Sequence, residues 1–357
     1  MKLLRLTVHR FTAFEDATFE LGRWVNVFIG ENGTGKSHVL KLLYALSESV
    51  RRFAQGDTLD VTGSQGGTLD AIVAEMLFGV FRPDTLGRLV RRGQGRRSAR
   101  IVLDAEGGSL EVKLTSLGKV TARLAGDFSA LGRSIFLPPR EVLTLVPGFV
   151  SAYTKRELEF DRTYYDLCVA LDAKPLRGAR DAKRQALLAP IEQAVGGRVV
   201  QENGRFYLEL PDGKMEAHLV AEGLRKLAML AHLVVNGSLT NNAFLFWDEP
   251  EANLNPKLGE RLGGVVFGLA GKGVEAQVFL ATHDYVLSAD LSLVVEKDAA
   301  WRGGTAFFSL GRRDGHDGVA VERGELLADL QDNPILDAFA ALHDREREVF
   351  ASSGGGA

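Results

Sequence analysis

The sequence predicts an α/β fold: an antiparallel β subdomain, a parallel-sheet core and an inserted mixed α/β region. Three observations predict it. Residues 24–29, Trp-Val-Asn-Val-Phe-Ile, form an apolar run that enters a glycine-rich octapeptide and then a helical pattern. Across residues 196–310, apolar runs of strand length alternate with helical patterns, the texture of a parallel sheet with crossover helices. Two of those runs, 244–247 and 278–281, are apolar throughout, as strands buried on both faces are.

The elements follow in order. Leu4, Leu6 and Val8 alternate with polar neighbours and predict an opening strand over 2–9; residues 17–21 predict a second. The strand at 24–29, the loop at 30–37 and a helix over 38–50 come next. Residues 51–133 change texture, with a loop over 56–67, a helix over 69–80, an arginine-rich stretch over 88–100 and strands across 100–124 joined by Gly/Asp turns. The apolar strand Ile135-Phe136-Leu137 is broken by Pro138-Pro139, and helical patterns follow across 150–171 and 179–195. Residues 198–200 and 205–210 predict a hairpin around Asn203-Gly204. A helix from Gly223, a strand over 243–247, a helix after Pro256, a strand over 277–281 and a last strand over 291–296 complete the pattern. On this reading the core is discontinuous, 1–50 and 196–310, around an insert at 51–195. Residues 311–351 form a C-terminal extension, and 352–357 a disordered Gly/Ser-rich tail.

Composition sets outer limits. A net charge of −3 gives no global basic field for nucleic acid or an anionic membrane. The single cysteine, Cys168, excludes an internal disulfide and fits a reducing cytosol. No stretch approaches the roughly 18 apolar residues of a membrane span.

The chemistry concentrates in three places. Gly30-Glu-Asn-Gly-Thr-Gly-Lys-Ser37 fits G-x-x-x-x-G-K-[ST], a loop that cradles a triphosphate. Gly30, Gly33 and Gly35 let the chain curl and aim its N–H groups inward. The helix after it presents its positive end to the phosphates. Gly30, Asn32, Gly33, Thr34, Gly35, Lys36, Ser37 and His38 are therefore the ATP-binding candidates. Lys36 is placed to reach the β- and γ-phosphates, and the Ser37 hydroxyl to ligate Mg²⁺. The flanking apolar strand and helical pattern set this match apart from a chance one. The second place is Asp248-Glu249, at the end of the apolar run 244–247: Asp248 to hold Mg²⁺, Glu249 to orient and deprotonate the attacking water. The third is His283, directly after the run 278–281. A histidine at the carboxyl end of a parallel strand lies beside the ligand crevice and is placed to contact the γ-phosphate. Taken singly, the acids read equally well as a solvated strand end and the histidine as structural; their order along the chain favours the catalytic reading.

Together the phosphate loop, Asp248-Glu249-Pro-Glu-Ala-Asn-Leu-Asn-Pro256 and Ala281-Thr-His-Asp284 resemble the ABC-type P-loop ATPases. The resemblance is to the soluble branch of RecF, the structural-maintenance-of-chromosomes proteins and the overcoming-lysogenization-defect ATPases. The opening phrase Leu-Thr-Val-His-Arg-Phe-Thr-Ala-Phe-Glu is similar to the first strand of that branch. The resemblance implies an ATPase head that forms a homodimer around sandwiched ATP. Residues 251–256 would be the loop crossing the dimer interface, and Glu222 and Gly223 the start of the signature helix that caps the partner's ATP. It also implies a separate effector protein, no membrane association, and a role in phage defence or DNA maintenance. Two departures stand out. Ala221 replaces the signature serine, a loss for which Arg225 or Lys226 is placed to compensate. Pro138-Pro139-Arg140-Glu141 stands where the Q-loop glutamine belongs, leaving Arg140 or Glu141 as its substitute.

Two further clusters have competing readings. Arg88, Arg91, Arg92, Arg96, Arg97 and Arg100 form a basic run that suits either a nucleic-acid backbone or a partner protein. Asp161, Tyr164, Tyr165 and Asp166 read as helix packing with surface acids rather than as a metal or stacking site. Two other functions compete with the ATPase dimer. A transporter nucleotide-binding subunit is opposed by the long stretch between residues 37 and 221 and the missing Q-loop glutamine. A nucleotide-sensing scaffold with weak hydrolysis draws support from Ala221.

Overall fold

The computed structural model describes residues 1–56, 67–155, 157–174, 182–239, 242–271, 274–313, 315 and 317–353. The chain opens with the antiparallel strands β1 (Leu3–Phe11) and β2 (Phe14–Glu20), then β3 (Val25–Gly30) and the helix α1 (Lys36–Ala54). After α2 (Leu69–Phe81) come three more antiparallel strands, β4 (Ser98–Ala105), β5 (Gly108–Thr115) and β6 (Val120–Gly126), and the short strand β7 (Ser134–Leu137). A helical stretch holds α3 (Val146–Thr154), α4 (Arg162–Leu171) and α5 (Ala182–Val195). A hairpin sheet follows, β8 (Arg198–Glu202), β9 (Arg205–Leu210) and β10 (Gly213–Glu216). The second half of the core is α6 (Glu222–Val235), β11 (Phe244–Asp248), α7 (Pro256–Gly259), α8 (Leu262–Ala270), β12 (Gln277–Thr282) and α9 (Tyr285–Lys297). It closes with β13 (Thr305–Arg312), β14 (Val319–Gly324) and α10 (Pro334–Ser353).

The central sheet has six strands in the order β14-β13-β3-β12-β11-β7, all parallel except β14. Alternation along its strands sorts side chains by type. Val25, Val27, Ile29, Leu245, Trp247, Val278 and Leu280 face the helical layer that includes α4, α6 and α8. Phe28, Phe244, Phe246, Phe279 and Phe308 face α1 and the antiparallel sheet. On that side Phe28 stacks on Phe308 at 4.9 Å and Phe246 on Phe279 at 4.7 Å, each pair adding to plain area burial. Helix α1 lies across this aromatic face, buried on most of its circumference, as an element sandwiched between two sheets must be.

The architecture agrees with the α/β expectation, and several elements refine it. The antiparallel sheet has five strands in the order β2-β1-β4-β5-β6, so strands from the stretch read as inserted continue the N-terminal subdomain. Strand β7, from the same stretch, is an edge of the central sheet. Residues 291–296 are not a strand. They lie in α9, whose first turn is capped by the Asp284 carboxylate accepting from the Leu287 N–H at 2.6 Å. The strand beside β3 is instead β13, which with β14 extends the sheet past residue 310. Residues 352 and 353 end α10; the remainder of the tail, 354–357, and nearly all of the loop 56–67 lie outside the described residues. No helix among the described residues is long and apolar enough to cross a membrane.

Candidate functional site

The phosphate-binding loop leaves the central strand β3 at Gly30. A Cβ there would lie 2.3 Å from the Leu310 carbonyl of β13, so only glycine lets the loop start this close to its neighbour. Gly35, with φ 93°, caps α1 in the left-handed region with no side-chain cap. The Thr34 hydroxyl donates to the Glu31 carbonyl at 2.9 Å and closes the loop on itself. Lys36 is buried and donates to the carbonyls of Gly30 (2.7 Å) and Glu31 (2.8 Å). Burial holds its pKa below the ordinary lysine value, opposed by the nearby carboxylates of Asp248, Glu249 and Glu251. The His38 ring packs edge-on against Phe81 at 5.7 Å.

Three parallel strands deliver the remaining side chains. Ser37, one residue into α1, donates its hydroxyl to Asp248 Oδ1 at 3.0 Å, joining the ends of β3 and β11. Asp248 is 5% exposed, and burial raises its carboxyl to about 6, with the Ser37 hydrogen bond pulling the other way. Glu249 adopts φ 48°, a left-handed conformation that costs a non-glycine residue about 1–3 kcal/mol. Its N–H donates to the Ala281 carbonyl at 2.9 Å, which anchors the turn to β12. His283, at the end of β12, places Nδ1 3.4 Å from Glu249 Oε1 and 3.9 Å from Glu251 Oε1. Glu251 also accepts from the Thr282 hydroxyl at 2.7 Å, and burial raises its pKa. Lys36, Ser37, Asp248, Glu249 and His283 thus converge. Thr282 and Glu251, which tie the histidine to the turn, were not singled out from sequence beyond the place of Glu251 in the loop 251–256.

A divalent cation fits the donor set. The Ser37 hydroxyl and the Asp248 carboxylate are adjacent oxygens of the kind Mg²⁺ takes. The raised pKa of Asp248 reflects a buried acid whose desolvation outweighs the Ser37 hydrogen bond and the charges of Lys41 and Lys36, so a cation beside it would offset its desolvation.

The signature stretch lies elsewhere on the turn. Gly223 packs so tightly on residue 253 that a Cβ would lie 2.4 Å from the Asn253 carbonyl. Ala221 caps α6 with no side-chain hydrogen bond. Neither residue expected to compensate for the missing serine is free to do so. Lys226 is fully buried and donates to the Glu249 (2.8 Å) and Ala252 (3.0 Å) carbonyls; burial lowers its pKa to about 8. Arg225 pairs with Glu141 at 2.7 Å and also donates to the Val220 carbonyl. The same pair engages Glu141, which additionally accepts from Thr144 at 2.9 Å, leaving the exposed Arg140 as the open position after β7.

The other clusters divide. Asp161 caps α4 through the Thr163 N–H and pairs with Lys41 at 2.7 Å, while Asp166 accepts from the Tyr44 hydroxyl at 2.6 Å, so both acids serve packing. Of the arginines, Arg91 pairs with Glu15 and Asp317, Arg100 with Glu111, and Arg88 with Asp84.

Comparison with known proteins bears on the family and the fold. Residues 110–290 match the family described as "AAA domain, putative AbiEii toxin, Type IV TA system". Over 148 residues the chain is 26% identical to the DNA replication and repair protein RecF of Citrifermentans bemidjiense, covering 42% of this chain and 35% of that one. The match thus spans about a third of the curated relative's length. The fold is similar to that of an SMC head bound to the C-winged helix domain of ScpA, with TM-score 0.54, 13% identity, and coverage of 93% of this chain and 100% of that one. An SMC head domain from Thermotoga maritima aligns with TM-score 0.47 and 15% identity, over 91% of this chain and 100% of that one. The matched stretch is half of the chain and includes Asp248, Glu249 and His283, and the chain belongs to that AAA-domain family.

Proposed function

We propose that the chain binds Mg–ATP on the loop 30–38 and hydrolyses it, and that two heads close on the nucleotide face to face. The observation that carries the reading is the convergence of Ser37, Asp248, Glu249 and His283 at the carboxyl ends of β3, β11 and β12. In this reading Lys36 turns from its loop carbonyls to the β- and γ-phosphates. Ser37 and Asp248 hold Mg²⁺, which supplies charge neutralisation when bound. Glu249 takes a proton from the attacking water, and His283 holds that carboxylate and the γ-phosphate in register. Glu222 and Gly223 cap the partner head's nucleotide.

The wider role follows from the relatives. The family description names a toxin of a type IV TA system, RecF is named for DNA replication and repair, and one similar head is bound to a domain of ScpA. These support a cytoplasmic ATPase in phage defence or DNA maintenance that acts through a separate effector. The uncapped Ala221 favours a second reading, a nucleotide sensor that hydrolyses slowly.

Glu249→Gln tests the first reading. It keeps shape but removes the base, so turnover falls by about 10²–10⁴ while ATP still binds. Light scattering then shows the 38.8 kDa chain doubling in mass with Mg–ATP. Unchanged turnover overturns the assignment of Glu249; no doubling overturns the dimer.

A further inference from the structure

We propose that Lys226 is a positioning residue that ties the start of α6 to the backbone of Glu249, so that engagement of Glu222 and Gly223 is felt at the catalytic carboxylate. The inference rests on the reading of Glu249 as the base. Lys226 sits inside a 14-residue helix with 0% exposure, and its ammonium spends its hydrogen bonds on two main-chain carbonyls, those of Glu249 and Ala252. The Glu249 carbonyl also accepts the Ala252 N–H at 3.1 Å, so both of its lone pairs are taken. Within that closed turn Glu249 sits at φ 48°, its N–H anchored on the Ala281 carbonyl and its carbonyl on Lys226 and Ala252. Backbone strain of this kind persists only where the surroundings over-determine it.

A second contact joins the same two pieces. Gly223, three residues before Lys226 and on the same helix face, meets the Asn253 carbonyl so closely that no side chain fits between. The first turn of α6 and residues 249–253 are therefore locked at two points and move as one body. Arg225 bonds to a different element, Glu141, so the coupling belongs to Lys226. A partner head's nucleotide that draws on the N-terminus of α6 would shift the Glu249 turn with it. A misplacement of about 1 Å that originates far from the reacting atoms suffices to change rates by about 10²-fold.

The test uses the full chain and measures ATP affinity by calorimetry, single-turnover hydrolysis, and thermal melting. Lys226→Met is expected to bind ATP within about threefold of wild type and to hydrolyse it at least about tenfold more slowly. Lys226→Gln, which keeps an NH₂ donor group but loses the charge and part of the reach, is expected to fall between, and it carries the comparison if the methionine variant does not fold. The double variant with Glu249→Gln is expected to be no slower than Glu249→Gln alone, because residues acting as a unit are not additive. A general packing role would slow both backgrounds by the same factor, and that result overturns the proposal. So does wild-type hydrolysis by the Lys226 variants beside a slow Glu249→Gln. A Glu249→Gln that hydrolyses normally instead removes the base assignment itself, and is told apart by that one measurement.

Discussion

Lys36 spends its charge on its own loop, with the Gly30 and Glu31 carbonyls within 2.8 Å. Both acceptors are neutral, so a phosphate that offers full charge competes for the ammonium on favourable terms. Hydrogen bonds to charged groups contribute about 1.5–3 kcal/mol each, so Lys36→Ala is expected to weaken ATP binding roughly 10- to 100-fold. The fold survives, since Gly30 is also held by β-pairing with Leu310. Calorimetry showing undiminished affinity in a folded variant would place the nucleotide elsewhere. The sequence signalled this residue because its spacing from three glycines is itself the chemistry. It pointed to Lys226 only as a substitute for the signature serine, not as a buried tie to the Glu249 turn: a lysine in an amphipathic helix reads as a solvated cation, and only the approach of residues 249–252 buries it.

At the scale of elements, α6 begins without a side-chain cap: the Ala221 carbonyl accepts the Arg225 N–H, but residue 221 offers no side-chain acceptor to the N–H groups that precede Arg225. Ala221→Ser supplies a hydroxyl to that end. Replacing a poor cap by a good one contributes about 1 kcal/mol, so the nucleotide-free variant melts higher. In the proposed dimer the same hydroxyl reaches the partner's γ-phosphate, and ATP-dependent association tightens. A variant that is more stable but associates no better would remove α6 from the interface. Legibility tracked locality. The hairpin at Asn203-Gly204 was readable because both residues take positive φ, 51° and 75°, in a two-residue turn. Residues 291–296 misled because a short apolar run is shared by buried strands and buried helices; the deciding signal was Asp284 as a helix cap. The pairing of β1 with β4 joins residues about a hundred positions apart, and no local pattern encodes it.

Over the whole molecule the charge balance decides what the arginine run can do. The net charge of −3 gives no long-range pull on a polyanion, so any nucleic-acid contact must come from local cations. Arg91 is committed to Glu15 and Asp317, which link the antiparallel sheet to the loop before β14. Arg100 is paired across the sheet with Glu111, and Arg88 lies near Asp84. Arg92 and Arg96 are exposed and have no acidic partner among the described residues. Even with Arg97, whose side chain bonds only the Gln94 carbonyl among the described residues, three phosphate contacts give a salt slope of about −2.7 on duplex DNA, a weak hold, and no aromatic side chain interleaves the arginines to stack bases. The patch therefore suits a few acidic side chains of a partner protein better than a duplex backbone. Arg92→Glu with Arg96→Glu leaves Arg91 and its ion pairs intact, and basal ATP hydrolysis is expected to be unchanged. In gel-shift titrations with duplex DNA at two salt concentrations, wild type and variant are expected to behave alike. A salt-sensitive shift in wild type that the variant loses would mean that these arginines face nucleic acid, and the preference for a protein partner would fall.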